Sequence, residues 1–368
     1  MLRGFMDHWV PTVDSISTFW KSDISACKAL IDGLANEVAF NNFTFYTKWY
    51  TNGISSELPY LRNHPDSSNV RTDNQWGREL IDHLHSRKMT AGAMLQLYTF
   101  EKRLWADLPS LGEWDVRTCA ATDDTCVLAD FTSDSYPSKL AQILREQLIM
   151  FPDLDYLFLE FEGIMPEMAV KAYENHSAKV GGLPAATDVT YREQDIAQYR
   201  NMGATIDLRY SVEALDMFTY YMRRNLETAQ GVCDELEYRG RLGVVYYPPQ
   251  YESLFVPNAL PGNRWRLLPW CYFGWIHDPQ QKAATMKMML LHMEEQMAAG
   301  RRVLCIGDAA ISPWDTESIE TTLQFCESHL MEGYLGMGNP VDHTGLRWTD
   351  VTTEQVHNVR DVFAKHWK

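Results

Sequence analysis

The run Asp155-Tyr156-Leu157-Phe158-Leu159-Glu160-Phe161-Glu162-Gly163 ends an otherwise apolar strand in two carboxylates. Side chains alternate along a strand, so Leu157, Leu159 and Phe161 share one face while Tyr156, Phe158, Glu160 and Glu162 share the other. An inward-facing carboxylate must be solvated, paired or functional, and two on adjacent inward positions repel each other. A parallel barrel accommodates this pattern. Its strands pack one face on helices and turn the other inward, and both glutamates then stand at the C-terminal mouth, where such barrels keep their chemistry.

Period along the chain predicts seven further strands: Leu2 to His8, Phe40 to Lys48, Thr90 to Tyr98, Leu242 to Tyr247, Leu267 to Trp275, Val303 to Asp308 and Tyr334 to Met337. Helical stretches are expected at Ser15 to Asn36, Trp76 to Arg87, Ser138 to Met150, Tyr191 to Met202, Ser211 to Tyr238, Gln280 to Ala299, Glu317 to Leu330 and Thr353 to His366. Strands alternating with helices in this way define an α/β chain, a (β/α)8 TIM barrel. Residues 1–368 read as a single barrel with long loops after strands 2, 3 and 4. Met286, Met289, Leu290 and Met293 form a core stripe on the sixth helix.

Composition narrows the partners. At 45% hydrophobic and 22% charged residues, 368 residues can bury a sizeable core. The net charge of −16 argues against nucleic acid, an anionic membrane or a strongly anionic polymer, and favours a neutral or weakly charged ligand. No apolar run reaches the ~20 residues of a membrane span, and the first residues lack a signal-peptide core, so the expected location is the cytoplasm, or outside the cell with the leader removed. Seven scattered cysteines read as reduced buried thiols, with Cys119 and Cys126 alone close enough for a loop clip. Twelve tryptophans stand out, and Trp9, Trp49, Trp275 and Trp314 fall just after strands, where an aromatic face can stack on a ligand ring. A homo-oligomer is compatible with this reading.

The carboxylates at the mouth suggest acid and base chemistry. One glutamate can raise the pKa of its neighbour, and a carboxylic acid kept protonated near neutrality can deliver its proton to a leaving oxygen. Glu162, nearer the mouth, is the expected acid and Glu160 its deeper partner. A second carboxylate is then needed across the pocket as nucleophile or water-activating base; Asp308 is the leading candidate and Asp7 the next. By the same parity Asn42, Thr44, Tyr46 and Lys48 on the second strand, and Gln96 and Tyr98 on the third, line the interior and suit hydroxyl recognition. Tyr246 or Tyr247 is expected to cover the opposite wall and Trp275 to form a floor, with Trp9 and Trp314 also lining the mouth, and Gly336 and Gly338 leave room for a ligand.

The opening Leu2-Arg3-Gly4-Phe5-Met6-Asp7 resembles the Arg-Gly-hydrophobic-Met-hydrophobic-Asp run that opens the catalytic barrel of β-N-acetylhexosaminidases and α-glucuronidase-like glycoside hydrolases. Residues 77–88 are similar to the helix before their third strand. The resemblance implies glycosidic bond cleavage on a carbohydrate substrate, with Arg3 as a sugar-hydroxyl ligand and one fourth-strand glutamate as general acid. The hexosaminidase pattern has an adjacent Asp-Glu pair where this chain reads Glu160-Phe161-Glu162, so the substrate-assisted mechanism does not carry over. No cofactor and no metal are expected. Two other classes fit the sequence: a metal-dependent isomerase or aldolase using Glu160, Glu162, His8 and Asp308, and a non-catalytic sugar-binding barrel.

Overall fold

A computed structural model describes residues 1–6, 24–49, 52–54, 70–71, 75–101, 110–114, 126–161, 172–173, 175–176, 212–248, 252–271, 273, 276, 278–309, 316–337 and 353–367. Eight parallel strands close on one another: β1 (Leu2–Met6), β2 (Asn42–Trp49), β3 (Thr90–Gln96), β4 (Tyr156–Glu160), β5 (Arg241–Tyr246), β6 (Trp265–Cys271), β7 (Leu304–Asp308) and β8 (Gly333–Met337). Each pairs with the next, and β1 pairs with both β2 and β8, so the barrel has no open edge. The helices that follow are α1 (Ile24–Glu37), α2 (Gln75–Ser86), α3 (Tyr136–Met150), α4 (Val212–Glu235), α5 (Glu252–Ala259), α6 (Pro279–Ala298), α7 (Thr316–Ser328) and α8 (Thr353–Trp367). The fold is the expected (β/α)8 barrel.

Aromatic contacts between strands and helices fix which face of each strand points outward. Phe5 on β1 meets Phe363 and Trp367 on α8 with ring centroids 5.0 and 5.2 Å apart, and Phe45 on β2 meets Trp76 on α2 at 6.3 Å. The opposite parity therefore lines the lumen. There small residues make room for large ones: a Cβ on Gly92 would sit 2.3 Å from Thr44 Oγ1, and one on Gly243 would sit 2.7 Å from Phe158 Cδ1.

Gly336 departs from expectation, because it faces the helices rather than a ligand. A Cβ there would lie 2.9 Å from Ala309 Cβ and 3.1 Å from Phe5 Cδ1. Gly336→Ala should therefore cost about 1–3 kcal/mol through overpacking. Urea unfolding checks this, and unchanged stability would mean the outer layer has slack the packing does not show.

The helix α5 was not foreseen. It is short, nearly all its residues are buried, and Pro257 lies inside it, so neither an amphipathic stripe nor a propensity run announces it. The excursion after β3 builds an antiparallel sheet of Thr99–Glu101, Cys126–Ala129 and Ser110–Trp114, also unforeseen. The expected helix at Tyr191 to Met202 and Cys119 lie outside the described residues. The five cysteines Cys27, Cys233, Cys271, Cys305 and Cys326 are free and buried.

On α6, Met288, Met289 and Met293 are buried together with His292, while Met286 and Leu290 are partly buried against the core. The His292 ring meets Tyr246 Oη at 2.7 Å. Burial, helped by the Arg301 charge, pushes the imidazole down to about 3. The folded protein thus holds His292 neutral where the unfolded chain, titrating near 6.5, takes up a proton. Stability from this site is complete above pH ~6.5 and is lost as pH falls toward 3, at up to about 1.4 kcal/mol per unit. His292→Gln should flatten this part of the profile in urea titrations from pH 7 to 4; an identical slope in the variant would contradict it.

Candidate active site at the C-terminal mouth

Glu160 is the last residue of β4 and its parity with Tyr156 and Phe158 turns it inward. It is fully buried, and its Oε2 accepts a hydrogen bond from Tyr46 Oη at 2.9 Å. In register it lies beside Gln96 on β3 and Val245 on β5, and its carbonyl accepts from Leu97 N at 3.0 Å. Alternation alone thus brings Tyr46, Gln96 and Glu160 from three adjacent strands to one end of the lumen. Gln96 Nε2 donates to the half-buried Tyr98 Oη at 2.8 Å, which sets a polar pair next to the carboxylate.

Asp308 ends β7 on the inward parity of Leu304 and Ile306 and is 4% exposed. Its Oδ2 accepts from Phe273 N at 2.7 Å, in the connection after β6, and its carbonyl accepts from Tyr334 Oη on β8 at 2.7 Å. Side chain and backbone are therefore gripped by the two neighbouring strands' segments. Three steps separate β4 from β7 round an eight-strand ring, which at standard strand spacing and tilt places their backbones roughly 14 Å apart across the mouth.

Other expected residues are placed differently. Arg3 lies on the parity of Phe5, facing the helices, and its guanidinium donates to the Trp367 carbonyl at the end of α8. It is not among the residues gathered at the mouth. The β2 register skips Thr47, so that Tyr46 pairs with Met94 but Lys48 with Leu95. This bulge interrupts the alternation on which Lys48 was grouped with Tyr46, and the Lys48 side chain lies outside the described residues. Tyr246 points outward to α6, while Tyr247 is half-buried and its N–H donates to Glu252 Oε2 at 3.1 Å. Glu162, Asp7, His8, Trp275, Trp314 and Gly338 lie outside the described residues.

Two buried carboxylates at this end escaped sequence reading. Glu252 opens α5 and is fully buried; an acidic residue in a helix's first turn was the available signal. Asp130 follows the strand Cys126–Ala129, whose Ala129 N donates to the Tyr98 carbonyl at 2.8 Å. Its Oδ1 accepts from Thr132 N at 3.0 Å, and its Oδ2 meets His176 Nε2 at 3.0 Å and Asn175 Nδ2 at 3.3 Å. Asp-x-Thr ahead of a helix marks such a turn, but nothing local links it to a histidine 46 residues on. The sequence also holds one His-x-His pair, His83-Leu84-His85 on α2, whose rings go separately to Asp32 at 2.9 Å and Asp155 at 2.8 Å.

No family model and no curated protein sequence matches the chain. Solved structures do match in shape. An exo-β-N-acetylglucosaminidase of glycoside hydrolase family 20 from Vibrio harveyi superposes with a TM-score of 0.55 at 10% identity, covering 100% of this chain and 54% of that one. A β-galactosidase from Rahnella sp. R3 gives 0.58 at 12% identity over 99% of this chain and 56% of its own. A GH5-4 broad-specificity endoglucanase from an uncultured bacterium gives 0.54 at 10% identity over 99% and 93%. The chain spans about half the length of the first two. At these identities the likeness is one of fold alone, the (β/α)8 barrel.

Proposed function

We propose that the protein is a glycosidase that cleaves a neutral or weakly charged oligo- or polysaccharide at the C-terminal mouth of its barrel. The observation that carries this reading is that two strands end in inward carboxylates at the same end of the barrel, a fully buried glutamate on β4 held by Tyr46 and an aspartate on β7. Glycoside hydrolysis needs two carboxyl groups across a pocket, one to protonate the leaving oxygen and one to attack the sugar or activate water, and the ends of β4 and β7 supply candidates for both. The glycoside hydrolase folds of the structural neighbours support the same class.

Glu162 is assigned the role of acid, two residues beyond Glu160 toward the mouth. Glu160, with one oxygen engaged by Tyr46, suits positioning a sugar hydroxyl and adjusting its neighbour's proton affinity. Asp308 is assigned the opposing carboxylate. Gln96 and Tyr98 offer an amide and a phenol for hydroxyl recognition, and Tyr247, Trp275 and Trp314 offer faces for the ring. The net charge of −16 supports an uncharged substrate over an acidic one.

A panel of aryl glycosides assayed with and without a chelator tests the proposal. Release of the aryl alcohol at the same rate in both conditions is expected. Turnover abolished by the chelator would transfer the site to the metal-dependent class, and tight sugar binding without turnover on any glycoside would make it a binding barrel.

A further inference from the structure

The N-terminal face of the barrel, opposite the proposed active site, holds a cavity of about 490 Å³ whose lining includes Tyr156, Lys88, Arg241, Arg266, Arg302 and Glu332. Four cations there face a single carboxylate. Both oxygens of Glu332 are already committed, Oε2 to Arg266 Nε and Oε1 to Arg302 Nε at 3.4 Å. Arg241 donates to the phenol oxygen of Tyr156, and its guanidinium lies 5.2 Å from the centre of that ring. Among the described residues neither Arg241 nor Lys88 has a carboxylate partner.

This excess of positive charge stands in a chain whose net charge is −16. Arg266 is only 4% exposed and occupies an inward position at the start of β6, so its head group is fixed rather than waving in solvent. Burial pushes its guanidinium down, Glu332 pulls it back up, and the neighbouring Arg241 and Arg302 charges push it down again. Arg266, the buried member, has Glu332 as its carboxylate; the surplus positive charge comes from Arg241, Arg302 and Lys88, which are exposed around it, so an entering anion would meet cations that a single carboxylate does not balance. The cavity exceeds the ~30 Å³ of a water and falls in the 300–1,000 Å³ range of small-molecule sites.

We propose that this cavity binds a small phosphate-bearing molecule, its phosphate oxygens held by Arg241, Arg302 and the fixed head group of Arg266, with Lys88 as a further point charge. Guanidinium groups suit this ligand class because their paired N–H donors match phosphate oxygens. The cavity lies at the opposite ends of the strands from Glu160 and Asp308, about 13 Å along a five-residue strand, so occupancy does not compete with a sugar at the mouth.

Isothermal titration of the full chain with pyrophosphate, with glucose 6-phosphate and with glucose tests this, each against sodium chloride at equal ionic strength. Saturable binding of pyrophosphate or glucose 6-phosphate, and none of glucose, is expected; which of the two binds tighter tells an inorganic from a sugar-borne phosphate. Arg241→Gln and Arg302→Gln should each weaken binding by roughly tenfold or more. Both side chains reach solvent, so neither replacement removes a buried group that the fold depends on. No saturable heat beyond that of the chloride control, or binding unchanged in both variants, would overturn the proposal.

Discussion

Glu162→Gln should lower the rate on glycosides with poor leaving groups by roughly 10²–10⁴-fold and leave activated aryl glycosides much less affected. Glutamine keeps the volume and removes the transferable proton, so the deficit appears only where the departing oxygen needs that proton. Glu160→Gln, assayed beside it, should show a loss that depends less on the leaving group, because a positioning residue acts on binding and orientation. The hydrogen bond from Tyr46 Oη survives on the amide oxygen, so the fold should hold. If Glu160→Gln instead shows the leaving-group dependence, the two roles exchange. Near wild-type rates from both variants on the poor leaving group would remove the acid from the fourth strand altogether.

Asp308→Ala is expected to reduce turnover on every substrate, activated or not, by at least 10²-fold, since the missing carboxylate attacks the sugar or activates water whatever the leaving group. A small anion such as azide, diffusing into the vacated space, should restore part of the rate on activated aryl glycosides if Asp308 is the nucleophile. The side chain also accepts from Phe273 N at 2.7 Å, so Asp308→Asn, which retains an acceptor there, separates lost chemistry from a displaced loop. Equal activity of Asp308→Asn and wild type would transfer the opposing role to another carboxylate, with the buried Glu252 after β5 the next to test.

How much of this was legible in the sequence depended on whether a feature is local. The barrel was readable because each strand and helix carries its own period, and the inward parity of Tyr46, Gln96 and Glu160 follows from alternation within one strand. Alternation fails where both faces are apolar. In Leu2-Arg3-Gly4-Phe5-Met6 nothing local sets the phase; Phe363 and Trp367, more than 350 residues away, do so by packing on Phe5, which takes Arg3 outward with it. Gly336 goes outward for the same reason. The skipped residue at Thr47 is a sheet-pairing event with no compositional mark, and it undid the grouping of Lys48.

Contacts between distant segments were illegible for a related reason. Asp130 and His176 meet only because the turn after Cys126–Ala129 and residues beyond β4 reach the same end of the barrel. The cationic cavity draws one residue each from positions 88, 241, 266 and 302, so no charge run reveals it. Parallel strands gather their N-terminal ends into one ring, and the barrel makes a patch from charges that the sequence spreads over more than 200 residues.

A crystal structure with an unhydrolysed oligosaccharide bound to the Glu162→Gln variant would put the proposed active site to its strictest test. The sugar is expected at the C-terminal mouth, with the side chains of residue 162 and Asp308 on opposite sides of the scissile bond. Their separation should fall near 5–5.5 Å for a retaining enzyme or about 6.5–9.5 Å for an inverting one, and the anomer released by the wild type should agree with that distance. A sugar bound elsewhere on the barrel, or Asp308 lying well beyond about 10 Å from residue 162 with the ligand in place, would contradict it.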